Sequence, residues 1–418
     1  MPEEKILKRE PRSIMGALLH GTKYVREKLS AEFRPILLTS TTGRSGSPVP
    51  FLYTKHDLDL LTTAGKRIME VGRSLPEYRH VNVFPYAPHL AFWQSHYASL
   101  GLDTFMVSTG GGKCVGTEGN INFIEKIRPD VLIGMPTFIY HLMRQAVEEG
   151  RKWTTLRRIV LGGEKASDGL RAKLRDLAAQ LGSVGVYVIS IYGFTEAKMA
   201  FPECPTMPMD GPSGFHVFPD LGIFELIDPK TGVPVPEGVR GEIVYTPLDS
   251  RGTVVLRYRT GDIAEGGLTW SRCPHCGRKL PRLMGPISRV SELRALSLDK
   301  IKGTLVDFNV LEHLLDDQRG IAGWQIELRK RHDDPMECDE VILHTAADPG
   351  VSEVTLRDQI LRRFHEVTEL QPNQINFHSV PELRDLLGVG RLLKEEKIAD
   401  HRPRSDSPAS SSQTSASA

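Results

Sequence analysis

The chain has 418 residues, with 53 Lys and Arg against 52 Asp and Glu for a net charge of +1. That length exceeds one ordinary hydrophobic core, so two domains are expected. The even charge leaves no basic block dense enough for a nucleic-acid partner, no apolar run reaches bilayer-spanning length, and the charged start Met1 to Glu10 leads into no apolar signal region, so small-molecule ligands and a cytoplasmic location are expected.

In chain order, the first notable run is Thr41-Thr42-Gly43-Arg44-Ser45-Gly46-Ser47-Pro48, followed by Tyr53-Thr54-Lys55-His56-Asp57-Leu58. Small hydroxyl and glycine residues suit a loop that wraps phosphates with backbone N–H groups; in isolation the run reads more readily as a Ser/Gly linker. From Val81 to Ile191 short apolar runs alternate with helical patterns. Asp130 to Ile133 and Ile159 to Leu161 read as strands, Phe138 to Glu149 and Asp168 to Leu181 as helices, which is a doubly wound α/β pattern. Gly110-Gly111-Gly112-Lys113-Cys114 lacks the upstream glycine and the following hydroxyl of a Walker loop, and that reading is rejected.

Gly162-Gly163-Glu164 follows one strand, and Tyr192-Gly193-Phe194-Thr195-Glu196 follows another expected over Val184 to Ile191. In an open α/β sheet this is where ligands bind. Tyr192 offers a flat face to a base, Gly193 admits close backbone approach, Thr195 can donate to a phosphate and Glu196 can hold Mg²⁺. Alone, Tyr-Gly reads equally as a turn and Glu196 as a solvated charge. The second run, Tyr258-Arg259-Thr260-Gly261-Asp262, shifts the balance, since Asp262 suits two ribose hydroxyls.

Cys273-Pro274-His275-Cys276 is a Cys-x-x-Cys knuckle, and Cys204 with His216 could complete a tetrahedral zinc set, with His275 a competing ligand. Between these runs, Gly222 to Tyr258 reads as a hairpin-rich subdomain turning at Asp228 to Gly232. Later come strands near Trp324 to Leu328 and Val341 to His344, a helix over Val351 to Val367, and a strand at Ile375 to Phe377, a small α+β unit. The Ser-rich tail beyond Arg402 reads as disordered. The expected domains are 1–290, 291–402 and the tail 403–418. Phe138, Tyr140, Phe84 to Tyr86 and Phe92-Trp93 line either an aromatic pocket or ordinary core.

Together these motifs resemble the adenylate-forming superfamily, and its phenylacetate-CoA ligase branch in particular, over most of Ala31 to Arg402. The first loop is similar to the branch's Ser-Ser-Gly-Thr-Thr-Gly-Lys-Pro, with Arg44 in place of a small residue and Ser47 in place of the lysine; the chain reaches this loop by Thr41, where relatives carry a longer N-terminal region. Arg282 to Arg289 looks like the family's approach to its hinge. There Ser291 and Glu292 replace the usual Asp-Asp, and Lys302 to Asp307 resumes the pattern. Lys394-Glu395-Glu396-Lys397 resembles the C-terminal segment whose leading lysine reaches the carboxylate and the α-phosphate. Glu203-Cys204 and Gly214-Phe215-His216 resemble part of a structural metal site in some relatives.

The resemblance implies a large AMP-binding domain with doubly wound sheets and a β-rich subdomain, plus a small mobile lid. It implies an AMP-forming acid–CoA ligase that makes an acyl-adenylate and then a thioester, acting on an aryl or arylacetic acid such as phenylacetate. ATP, Mg²⁺, coenzyme A and a structural Zn²⁺ are the implied cofactors, with a homodimer allowed for. Thr41, Thr42, Gly43, Ser45 and Gly46 would hold phosphates; Gly162, Gly163, Glu164, Tyr192 and Gly193 the adenine; Asp262 and Arg289 the ribose. Thr195, Glu196 and Lys394 would be catalytic, with Glu196 on Mg²⁺ and Cys204, His216, Cys273 and Cys276 on zinc. Two alternatives stay open: transfer to an amine or protein thiol, and a catalytically degenerate nucleotide-binding protein.

Overall fold

The computed structural model describes residues 15, 19–41, 48–290, 293–299, 302–333, 338–368, 371–389, 391 and 395–402. The chain divides into two compact units, Met1–Ser291 and Glu292–Ala418.

The first unit opens with helix α1 (Thr22–Phe33) and an antiparallel hairpin, β1 (Leu37–Ser40) and β2 (Pro50–Tyr53), in which Ser40 pairs with Pro50. Helix α2 (Lys55–Val71) follows at once, started by a capping box between Thr54 and Asp57. A six-stranded sheet then forms from β3 (His80–Pro85), β4 (Met106–Gly110), β5 (Val131–Gly134), β6 (Arg158–Gly162), β7 (Tyr187–Phe194) and β8 (Met199–Pro202), in the order β4-β3-β5-β6-β7-β8. All neighbours are parallel except the β7–β8 pair, which a tight turn makes antiparallel. Parallel strands need crossovers, supplied by α3 (Leu90–Leu102), α4 (Gly112–Ile127), α5 (Pro136–Glu148) and α6 (Asp168–Gln180). Val81, Leu132, Ile159 and Val188 on the strands and Ile121, Ile139, Leu142 and Leu174 on the helices share one buried core. The rejected Walker run connects β4 to α4: Gly110 and Gly111 take φ of 75° and 70°, a reversal that suits glycine alone.

The strand expected over Val184 to Ile191 lies over Tyr187–Phe194 instead. Val184 is 86% exposed and Gly185 has φ of 71°, so this stretch is the turn after α6, whose β-branched residue never reaches the sheet. Tyr192, Gly193 and Phe194 are inside β7, paired with Phe201, Ala200 and Met199.

The strand-rich region forms a second sheet, β10 (Gly222–Ile227), β11 (Gly241–Pro247), β12 (Tyr258–Ala264) and β15 (Ile287–Arg289), antiparallel throughout. Its first turn closes as expected at Asp228, whose carboxylate accepts from the N–H groups of Lys230 and Thr231. A small sheet, β13 (Leu268–Thr269), β14 (Arg282–Leu283) and β9 (Phe215–His216), carries the cysteine region. Phe194, Phe201, Phe218, Phe224 and Tyr245 pack into one aromatic core between these parts.

The second unit is α+β. It contains the hairpin β16 (Leu293–Asp299) and β17 (Lys302–Asp307), then α7 (Phe308–Asp316), and a sheet ordered β20-β19-β18-β21. Those strands are β18 (Ile321–Lys330), β19 (Asp339–Ala347), β20 (Gln374–Phe377) and β21 (Ile398–Asp400), with helices α8 (Glu353–Thr368) and α9 (Val380–Leu386) between them in sequence. Ile326, Leu328, Leu343, Leu356, Ile360 and Phe364 form its core.

Candidate nucleotide and metal sites

Strands β6 and β7 are parallel neighbours, so their carboxyl ends deliver Gly162-Gly163-Glu164 and Tyr192 to Glu196 side by side. Gly163 leaves the sheet with φ of 82° and is exposed, as is Gly193. Glu164 accepts from the Thr137 hydroxyl at 2.6 Å, which ties this turn to the start of α5. The face of Tyr192 offered to a base is largely covered: the residue is 9% exposed, with ring centroids 5.6 and 5.9 Å from those of Phe194 and Phe215. What lies open beside it is backbone at the two glycines.

The covered tyrosine works through its hydroxyl. Tyr192 Oη donates to Asp262 Oδ2 at 2.9 Å, and Arg289 Nε donates to Asp262 Oδ1 at 2.8 Å. The second contact follows from register, because Asp262 on β12 stands directly opposite Arg289 on β15. The pKa of Tyr192 is raised well above the usual tyrosine value, by burial and then by the Asp262 charge. The two motifs meet a second time where Tyr258 Oη donates to Glu196 Oε1 at 2.7 Å. Burial and the bond to Glu196 raise the pKa of Tyr258 as well, so both tyrosines are neutral donors at neutral pH. Thr195 and Glu196 sit in the one-turn helix Thr195–Ala197 that joins β7 to β8, both half-buried.

Thr41 stands at the mouth of the first loop, where its N–H donates to Val49 O at 3.1 Å and its hydroxyl accepts from Val49 N at 3.0 Å. Thr42, Gly43, Ser45, Gly46 and Lys394 lie outside the described residues.

Cys204, His216, Cys273 and Cys276 converge with all four ligand atoms within 4.8 Å of one another. Cys204 and Cys273 Sγ are 3.8 Å apart, and Cys276 Sγ is 3.3 Å from His216 Nε2. A tetrahedral zinc with Zn–S near 2.3 Å requires an S···S edge of about 3.8 Å, so the donors fit that ion. His216 Nδ1 is 3.3 Å from Pro202 O, which fixes the tautomer that leaves Nε2 free to ligate. Burial pushes the Cys204 thiol up to about 12 and His216 down to about 4. Without a cation Cys204 and His216 are thus neutral, and zinc would displace the Cys204 proton. His275 gives its backbone carbonyl to Arg73 and is not in the cluster.

The aromatic residues separate. Tyr86, Phe92 and Trp93 line an open recess of about 680 Å³ with Leu38, Pro88 and Met106. Phe84 is buried in one cluster with Phe92, while Phe138 and Tyr140 pack on the core of the six-stranded sheet. The recess adjoins the first loop, for Pro88 O accepts from Ser40 N at 2.6 Å, one residue before Thr41. Two features carry no signal in the sequence motifs: the Tyr258 bond to Glu196, and a buried ion pair between Lys198 and Asp57.

A family profile described as AMP-binding enzyme matches residues 90–247. The phenylacetate-coenzyme A ligase of Thermus thermophilus is 29% identical over 250 residues, 59% of this chain and 53% of that protein. The phenylacetate-coenzyme A ligase of Escherichia coli is 23% identical over 237 residues, 55% of this chain and 51% of that protein. The chain thus spans about half the length of the curated relatives it matches. Among solved structures, 2-hydroxyisobutyryl-CoA ligase in the postadenylation state with 2-HIB-AMP superposes with a TM-score of 0.72 at 19% identity, covering 88% of this chain and 74% of that one, a likeness of fold. The converging motifs, the matched profile and these relatives point the same way: residues 90–247 match the AMP-binding enzyme family, and over more than half of its length the chain is similar to phenylacetate-coenzyme A ligases.

Proposed function

We propose that this protein is an ATP-dependent carboxylate–CoA ligase acting on an aryl or arylacetic acid. The observation that carries this reading is the meeting of two distant motifs, Tyr192 with Asp262 and Glu196 with Tyr258, beside the exposed backbone of Gly163 and Gly193. A carboxylate oxygen of the acid attacks the α-phosphorus and pyrophosphate leaves with the P–O electron pair. The thiol of CoA then attacks the acyl carbon and AMP leaves. Activation is needed because an oxide is a poor leaving group and AMP a good one.

In this reading the adenine lies against the backbone of Gly163 and Gly193. Asp262 accepts from the ribose hydroxyls, its orientation set by Tyr192 and Arg289. Thr41 and Thr195 donate to phosphates, with Thr42, Gly43, Ser45 and Gly46 completing the loop. One Glu196 oxygen accepts from Tyr258, and the other accepts nothing among the described residues, which suits a hard-cation ligand. Magnesium there would offset the charge of the departing pyrophosphate. Lys394 would stabilise charge on the carboxylate and α-phosphate in the first step. The recess beside Ser40, lined by Tyr86, Phe92 and Trp93, takes the aromatic group of the acid.

Zinc on Cys204, His216, Cys273 and Cys276 would be structural, since four protein donors leave no open position for chemistry. Five free thiols suit a reducing cytoplasm, and no helix among the described residues is long and apolar enough to cross a membrane.

The test is pyrophosphate release with ATP, Mg²⁺ and a panel of aryl, arylacetic and short aliphatic acids, with and without CoA, using Glu196→Gln as the blank. Acid-dependent release stimulated by CoA, highest with aromatic acids, is expected. Release that CoA does not stimulate points to an amine or protein thiol as acceptor, and silence across the panel despite ATP binding points to a non-catalytic nucleotide-binding protein.

A further inference from the structure

A buried ion pair of the first unit joins the turn that carries Thr195 to the start of α2, directly after the β1–β2 hairpin that carries Thr41 at the mouth of its loop. Lys198 ends the Thr195–Ala197 turn with φ of 58° and ψ of 15°, and its N–H donates to Thr195 O at 3.1 Å. Left-handed backbone is unfavourable for a side chain as long as lysine, so something holds the residue there. It is 3% exposed, and its Nζ lies 3.2 Å from Asp57 Oδ1 and 5.0 Å from the centre of the Tyr53 ring.

Asp57, 2% exposed, already has its donors: Thr54 N and Gly252 N at 2.8 Å and Thr54 Oγ1 at 3.1 Å on Oδ2, and Arg251 N at 3.0 Å on Oδ1. A carboxylate so well bonded does not need an ammonium to survive burial, and buried pairs are weak sources of stability compared with apolar packing. What the lysine adds is a link. Tyr53 ends β2, and the Thr39 hydroxyl on β1 donates to its Oη at 3.3 Å, so the ammonium rests on the stem that closes the loop at 41–49.

We propose that Lys198 is a positioning residue for adenylation, fixing the Thr195–Glu196 turn against the β1–β2 stem so that Thr195 and Thr41 engage one triphosphate. This role rests on the ligase reading. Lys198→Met keeps the length of the side chain and removes its charge. It is expected to raise KM for ATP about tenfold and lower kcat for pyrophosphate release about tenfold, while thioester formation from a supplied acyl-adenylate stays within about twofold, because that step needs no triphosphate. Lys198→Arg should recover most of the loss, and Asp57→Asn combined with Lys198→Met should be no worse than Lys198→Met alone. Circular dichroism and thermal unfolding monitor the fold; if Lys198→Met does not fold, Asp57→Asn should show the same split between the two steps. Equal loss in both steps, or unchanged KM and kcat in a folded variant, overturns the role while the ligase reading stands. Wild-type protein that releases no pyrophosphate with any acid overturns both.

Discussion

Tyr192 Oη donates to Asp262 Oδ2 across 70 residues of sequence, while Arg289 Nε holds the other oxygen of the same carboxylate. One acidic group is therefore oriented from two strands at once, which leaves its remaining lone pairs aimed in a fixed direction. Tyr192→Phe removes one of these bonds and keeps the buried ring. It should raise KM for ATP about fivefold to tenfold, equivalent to ~1 kcal/mol, with little change in thermal stability. Initial rates of pyrophosphate release against ATP concentration check this.

In the proposed function Lys394 has a role in the first step alone. Lys394→Ala should cut adenylate formation about a hundredfold or more, the scale of an electrostatic contribution made in the transition state, and spare thioester formation from a supplied adenylate. Single-turnover assays of each step separate the outcomes, and equal loss in both counts against the assignment.

The Cys204, His216, Cys273 and Cys276 cluster gives a prediction independent of activity. Protein purified without chelator should carry about one zinc per chain by plasma emission. Cys273→Ser should lose the metal and unfold roughly 5–10 °C lower, because the buried donors then stand without their ion. Far less than one zinc in the wild type contradicts the site.

His80 predicts a pH dependence. Its Nδ1 is 3.1 Å from Tyr78 O and its Nε2 3.0 Å from Ser74 Oγ, a pattern that suits the neutral ring, and burial pushes its pKa down to about 4. The folded value lies below the unfolded value of about 6.5, so between the two the unfolded chain binds more protons. This contribution to stability is present above pH 6.5 or so and lost as pH falls toward 4, up to about 3 kcal/mol in all. Urea unfolding at about pH 7 and about pH 5 should show a loss larger in wild type than in His80→Gln by ~2 kcal/mol. Equal losses would mean that His80 titrates normally.

The motifs were legible because their chemistry is local. Gly163 turns where a strand ends, and two cysteines three apart announce a knuckle whether or not its partners are near. The α/β pattern was legible for the same reason, since β5, α5, β6 and α6 each carry their own periodicity. What escaped depends on distance or on burial. Val184 looks like strand and is a turn, because Gly185 beside it takes a left-handed conformation. Tyr258 belonged to a recognised run, but its bond to Glu196 spans 62 residues and no spacing encodes it. Lys198 sits two residues beyond Glu196 and reads as surface charge until Asp57 is found against it. The aromatic residues of the chain look alike in sequence, and only packing separates Tyr86 and Trp93 in the recess from Phe138 and Tyr140 against the core.

The most direct test of the central claim follows the oxygen atoms. With the acid labelled in both carboxylate oxygens by ¹⁸O, attack on the α-phosphorus moves one labelled oxygen into AMP when CoA takes the acyl group. Mass spectrometry of the AMP should show one ¹⁸O per molecule, and unlabelled AMP formed at the same rate would contradict an acyl-adenylate route.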